Sequence, residues 1–192
     1  MSSIITAAEN CTICAPHLKD GVRPVFVVHP KAKIVIIGQA PGRKVHESGV
    51  PWNDASGKRL RKWLGVTDEQ FYNPELFAII PMGFCFPGTG KSGDLPPRPE
   101  CAPKWHEPML NMMPNIKVSL LFGMYAQKYY LGKRRKRTLT ETVRNWEEYA
   151  PKYLPMPHPS PRNGIWLRKN EWFEANVVPF LQEAVQNAIS EC

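Results

Sequence analysis

Four of the five cysteines fall in a pattern that suits a metal centre. Cys11 and Cys14 are spaced C-x2-C, and Cys85 and Cys101 are spaced C-x15-C in a proline-rich stretch. A C-x2-C presents two thiolates from one turn, and two more from a second segment complete a four-thiolate cage. In a reducing compartment, two such pairs more often hold a metal or an iron-sulfur cluster than form disulfides. Spacing alone does not separate zinc from iron-sulfur, and ordinary buried cysteines are the simpler alternative. Cys192, the last residue, has no partner in the pattern and reads as a free thiol.

Three further groups carry chemistry. Gly38-Gln39-Ala40-Pro41-Gly42 is a turn whose backbone N–H groups can face a ligand. His158-Pro159-Ser160 offers an imidazole late in the chain. Lys133-Arg134-Arg135-Lys136-Arg137 is a run of five cations that suits a phosphate backbone, the alternative being a solvated loop. Pro87-Gly88-Thr89-Gly90-Lys91-Ser92 imitates a phosphate-binding loop but lacks its first glycine, since Cys85 stands there.

The elements that must position these groups follow from patterning. Lys33–Gly38 carries four consecutive β-branched residues and predicts a strand buried on both faces, which Pro41 and Gly42 end. Leu76–Ile80, Lys117–Phe122 and Leu154–Pro157 predict further strands, and Val25–Val28 an extended segment. Helices are expected in the leader before residue 22, over Gly57–Leu64, Trp105–Met113 and Gly123–Leu131, and from Glu171 onward. Residues 81–104, rich in Pro and Gly, are expected to be irregular. Trp63, Trp105, Trp146 and Trp172 occupy apolar helix positions and are expected in the core.

Strands alternating with helices predict an α/β layered fold with a parallel sheet. At 192 residues the chain fits a single domain spanning 1–192. With 43% hydrophobic and 22% charged residues it reads as a soluble globular protein. Its longest apolar runs fall far short of the ~20 residues that span a bilayer. The N-terminus has no basic or sustained apolar region of a secretory signal, so a cytoplasmic location is expected. A net charge of +8 favours polyanionic partners.

Gly38–Gly42, then Gly49-Val50-Pro51-Trp52, the four cysteines and His158–Ser160 together resemble, in order and spacing, the family 4 uracil-DNA glycosylases of the uracil-DNA glycosylase superfamily. The resemblance spans most of the chain. It implies a three-layer α/β/α fold with a central, mainly parallel four-stranded sheet. It also implies a monofunctional hydrolase of base excision repair that cleaves the N-glycosidic bond of uracil or another deaminated or damaged base in DNA, and a monomer with no membrane partner. A 4Fe-4S cluster on Cys11, Cys14, Cys85 and Cys101 is implied, with zinc as the alternative.

In such a site the base is flipped out and stacked on an aromatic ring, here Trp52, beside the turn at Gly38, Gln39 and Ala40. His158 donates toward the leaving base, where negative charge builds. Ser160, Arg162 and Asn163 belong to a loop that enters the duplex, and Lys133, Arg134 and Arg135 are expected on the DNA backbone. Gln39 stands where the family has Glu, and an amide cannot take a proton from water. Glu47 is the expected replacement, completing a catalytic set with His158 and Gln39, and Asp54 and His46 are further candidates. Pro81 replaces a family Asn that reads the uracil edge. Two other readings follow from these departures and from the open metal identity: a non-catalytic nucleic-acid or damaged-base binding protein, and a zinc-stapled enzyme acting on free nucleosides or nucleotides.

Overall fold

Ile34–Ile37 (β1) is buried along its whole length at the centre of a parallel sheet, as a continuous β-branched run requires. The structure is a computed structural model that describes residues 2–190, so Cys192 lies outside the described residues. Chain order runs α1 (Ser2–Glu9), β1, α2 (Arg43–Ser48), α3 (Ala55–Leu64), α4 (Asp68–Phe71), β2 (Phe77–Ile79), a small hairpin of β3 (Thr89–Gly90) and β4 (Gly93–Asp94), and α5 (Cys101–Asn111). It continues through β5 (Val118–Phe122), α6 (Gly123–Leu131), α7 (Leu139–Arg144), β6 (Tyr153–Met156), α8 (Gly164–Lys169) and α9 (Val178–Ser190).

The sheet order is β2-β1-β5-β6 and every pairing is parallel. Val27 adds an antiparallel bridge to Ile79 at the β2 edge. Alternate side chains of β1 serve two cores. Ile34 and Ile36 join Leu60 and Trp63 of α3, Val143 of α7 and Leu181 of α9, while Val35 and Ile37 join Ala8 of α1, Trp105 and Met109 of α5 and Ala126 of α6. The fold is therefore a three-layer α/β/α sandwich. Trp63 and Trp105 are buried, and Trp146 and Trp172 pack partly buried against the first core.

Several boundaries differ from expectation for local reasons. α5 begins at Cys101 rather than Trp105, because Pro103 falls in the first turn, where no backbone N–H is needed. The stretch 81–104 is thus not wholly irregular: it contains the β3–β4 hairpin and places Cys101 on a helix. α2, α7 and α8, each of six residues, and the four-residue α4 add to the expected set. The closing helix opens with a wide π turn over Phe173–Val177, since Pro179 cannot donate to the carbonyl four residues back. Among the described residues no helix is long and apolar enough to cross a membrane.

In a parallel sheet each crossover helix carries the chain back to the edge where the strands begin, so the loops after the strands gather at the opposite edge. Here these are residues 38–42 after β1, 80–88 after β2 and 157–163 after β6. From β1 the chain moves to β2 on one side and then crosses to β5 on the other, so the strand order reverses at β1, the place where crevices open in such folds.

Candidate active site

The loops after β1, β2 and β6 and the β3–β4 hairpin enclose a cleft of about 460 Å³. Gly38, Gln39, Ala40, Trp52, His158, Ser160, Arg162 and Asn163 all line it, together with Pro81, Asp54 and Asp94. The turn after β1 is held in place by the chain that follows β2: Met82 N–H donates to the Gly38 carbonyl at 2.9 Å and Gly83 N–H to that of Gln39 at 3.0 Å. The Gln39 side-chain amide donates to the Leu95 carbonyl at 3.4 Å and so ties the turn to the hairpin.

Trp52 has a left-handed backbone, φ 56°, a conformation that costs a bulky residue roughly 1–3 kcal/mol and persists only when its surroundings fix it. Those surroundings are visible. A Cβ at Gly38 would lie 3.0 Å from Trp52 Cζ2, so any side chain there would press the indole back. The ring lies 5.6 Å from the His158 imidazole and 6.1 Å from Phe122, centroid to centroid. Two residues on, Asp54 caps α3 by accepting from Gly57 N–H at 2.8 Å.

His158 is fixed at two points and the loop after it at a third. Ser160 N–H donates to its Nδ1 at 3.2 Å, the Asn163 side-chain amide donates to its carbonyl at 2.7 Å, and Arg59 of α3 donates to the Ser160 carbonyl at 2.9 Å. Since Nδ1 accepts, the neutral ring carries its hydrogen on Nε2. Burial holds the imidazole below its usual pKa, with the Asp54 carboxylate opposing that shift. The histidine is therefore a neutral donor beside a carboxylate.

Asp94 is the residue that sequence reasoning passed over. Burial raises its carboxyl pKa, while Arg162 and Arg43 pull it down. Arg162 also donates to the Ser92 carbonyl at 3.2 Å, so the loop after His158 is bridged to the hairpin across the mouth of the cleft. No local pattern marks Asp94, because it reaches the site only through the fold of the hairpin.

Other expected residues lie elsewhere. Glu47 is exposed on α2 and does not line the cleft, while its backbone carbonyl accepts from Arg23 at 2.7 Å. His46 donates from Nε2 to the Asp20 carbonyl at 3.1 Å and packs against Phe86, outside the cleft lining. Lys133, Arg134 and Arg135 follow α6, which leaves the cleft edge after β5 and runs back along the sheet. They therefore sit at the opposite edge from Ser160, Arg162 and Asn163. The helix that follows a parallel strand predicts this reversal from sequence.

Cys11, Cys14, Cys85 and Cys101 line one small cavity with Leu18, Phe84 and Trp105, and none is in a disulfide. Phe84 N–H donates to Cys101 Sγ at 3.4 Å. Burial pushes the Cys85 thiol up to about 11 and Cys101 up to about 12, and the charges of the other cysteines add to both shifts. Among the described residues no three or more His, Cys, Asp or Glu side chains converge as ligands of a single metal ion.

The sequence profile of the Uracil DNA glycosylase superfamily matches residues 25–182. Over 129 residues, 65% of this chain, the sequence is 27% identical to the Type-4 uracil-DNA glycosylase of Sulfurisphaera tokodaii. That match spans 55% of the relative's length.

Proposed function

The chain belongs to the uracil-DNA glycosylase superfamily, and from that premise we propose that its cleft removes a deaminated or otherwise damaged base from DNA by hydrolysing the N-glycosidic bond. The observation that carries this reading is the meeting of Trp52, Gln39, Asp54 and His158 around one cleft. A flipped base stacks on the Trp52 indole, and the turn at Gly38, Gln39 and Ala40 contacts its edge. His158 donates its Nε2 hydrogen to the base as negative charge accumulates there, an interaction stronger in the transition state than in the ground state. Asp54 orients the attacking water and faces the positive charge that develops on the sugar, the role first expected of Glu47. Ser160, Arg162 and Asn163 meet the DNA at the rim.

Gln39 leaves the turn without a carboxylate, and Pro81 offers no side-chain amide to read uracil. The proposed substrate class is accordingly any deaminated base whose edge the Gln39 amide can pair with as donor and acceptor. The test is incubation with oligonucleotides containing uracil, hypoxanthine or xanthine, followed by alkali to break the strand at abasic sites. Cleavage at one of these supports the reading.

The four thiols fit an iron-sulfur centre by their chemistry: all four line one cavity, and one sulfur accepts a backbone N–H, as cluster ligands do. A 4Fe-4S cluster held there by Cys11, Cys14, Cys85 and Cys101 supplies a structural cross-link. These residues would tie the turn after α1 to the chain beyond β2 and to the start of α5, behind the Met82–Gly38 and Gly83–Gln39 contacts that shape the cleft.

A second reading, base binding without excision, is favoured by one specific observation. The residue at the family's acid position is an amide whose nitrogen is already engaged with the Leu95 carbonyl.

A further inference from the structure

At the edge of the sheet opposite the cleft, Lys128, Gly132, Lys133, Arg135, Lys136 and Arg137 line a broad concavity of about 520 Å³. We propose that this groove is a second phosphate-backbone site for nucleic acid, independent of the cleft.

The run divides its cations between two tasks. Arg134 and Lys136 are spent on holding the loop: Arg134 lies over the Tyr149 ring at 5.5 Å and donates to the Glu148 carbonyl at 3.2 Å, and Lys136 pairs with the Glu148 carboxylate at 2.7 Å. The backbone is pinned as well. Tyr149 Oη donates to the Arg134 carbonyl at 2.9 Å, Lys136 N–H donates to Thr142 Oγ1 at 3.1 Å, and the Thr138–Glu141 capping box starts α7 one residue after Arg137. Lys128, Lys133, Arg135 and Arg137 have no ion-pair partner among the described residues. They are displayed from an ordered backbone rather than carried on a loose loop, which lowers the conformational entropy lost on binding.

The lining chooses the occupant. No acidic side chain and no large exposed hydrophobic residue contributes to the groove. A protein partner needs buried apolar or aromatic anchors, which this surface lacks. Repeated phosphates need only cations at intervals, with arginine forks that can bind each phosphate at two points. The cleft and the groove are separated by at least the length of the strands, roughly 15 Å, so a trinucleotide, roughly 10 Å long at ~3.4 Å per nucleotide, is too short to occupy both. Two separate segments can therefore be held at once, or one long strand wrapped around the sheet edge.

The experiment uses the full chain and a short single-stranded probe, 5′-phosphorylated (dT)3, with bound stoichiometry measured by sedimentation and affinity measured across a salt series. Lys133→Gln/Arg135→Gln/Arg137→Gln is expected to bind one (dT)3 fewer than wild type. The salt slope at the groove should also fall, by about 2 for three lost cations at ~0.7 each on single strands. The readout is the difference between the two proteins: two against one if the cleft also binds, one against none if it does not, so failure of the cleft assignment is separately visible. The single variants Lys133→Gln and Arg137→Gln, on exposed side chains, each take their share of the slope and guard against a misfolded triple variant. Equal stoichiometry and slope for wild type and variant, or poly-glutamate binding the groove as tightly as (dT)3, would overturn the proposal.

Discussion

A Cβ added to Gly57 would lie 1.7 Å from the carbonyl oxygen of Trp52. The first turn of α3 is thus pressed against the backbone of the residue proposed to stack on the base, at the point where that backbone is left-handed. Gly57→Ala forces this contact apart. The expected loss of stability is about 1–3 kcal/mol, as for other overpacked sites. In a chain of this size that lowers Tm by roughly 2–4 °C per kcal/mol. Excision should fall by more than the loss of folded protein explains, which calorimetry and single-turnover assays on the same sample resolve.

His158 should be neutral at pH 7 with its hydrogen on Nε2. Nitrogen NMR of the imidazole reads both properties, and a hydrogen on Nδ1 would contradict the Ser160 N–H contact. His158→Ala should slow excision by about 10²–10³-fold, as expected for removal of one preorganised donor. Affinity for DNA should change little, because the interaction belongs to the transition state.

His106 makes folding sensitive to acid. Buried at 1% exposure, its Nε2 lies 3.0 Å from the Pro81 carbonyl, which can only accept, so Nε2 donates and Nδ1 accepts from the Tyr130 hydroxyl at 2.6 Å. Burial pushes the imidazole down from 6.5 to about 4, opposed by the Pro81 hydrogen bond. The unfolded chain takes up the proton first as pH falls. Stability should therefore be flat above pH 6.5 and decline between 6.5 and about 4, by up to ~3 kcal/mol from this group. Thermal melts of wild type and His106→Gln should show a flatter acid limb in the variant.

The cysteine cavity predicts a coupled loss. Cys101→Ser should reduce bound iron and acid-labile sulfide together and lower Tm, because the sulfur that accepts the Phe84 N–H is gone. Zinc in the purified wild-type protein, in place of iron and sulfide, would contradict the cluster assignment.

Much of this arrangement could be read from the chain, for reasons that differ by residue. The run Ile34–Ile37 announces a strand because a parallel sheet buries both of its faces. Gly38, Trp52 and His158 meet because each directly follows or packs on a strand whose end lies at the same edge. Glu47 misled because nearness in sequence to the Gly38–Gly42 turn is not nearness in space: a short helix closed by Gly49 at φ 74° turns it to solvent. Asp94 stayed hidden because a short hairpin carries it to the cleft, and tertiary hydrogen bonds from Arg162 to the Ser92 carbonyl and from Gln39 to the Leu95 carbonyl place that hairpin. The basic run was legible as charge, and its place at the far edge follows from α6 being the helix that returns from β5.

The most direct test of the proposed chemistry is single-turnover excision by wild type and Asp54→Asn on uracil-, hypoxanthine- and xanthine-containing strands, with binding measured in parallel. Asparagine caps α3 about as well as aspartate, so the fold should be retained while the carboxylate is lost. Wild type is predicted to release at least one of these bases, and Asp54→Asn to bind with unchanged affinity but react ~100-fold more slowly or worse. Equal rates for the two proteins, or binding by wild type with no base released from any strand, would contradict it.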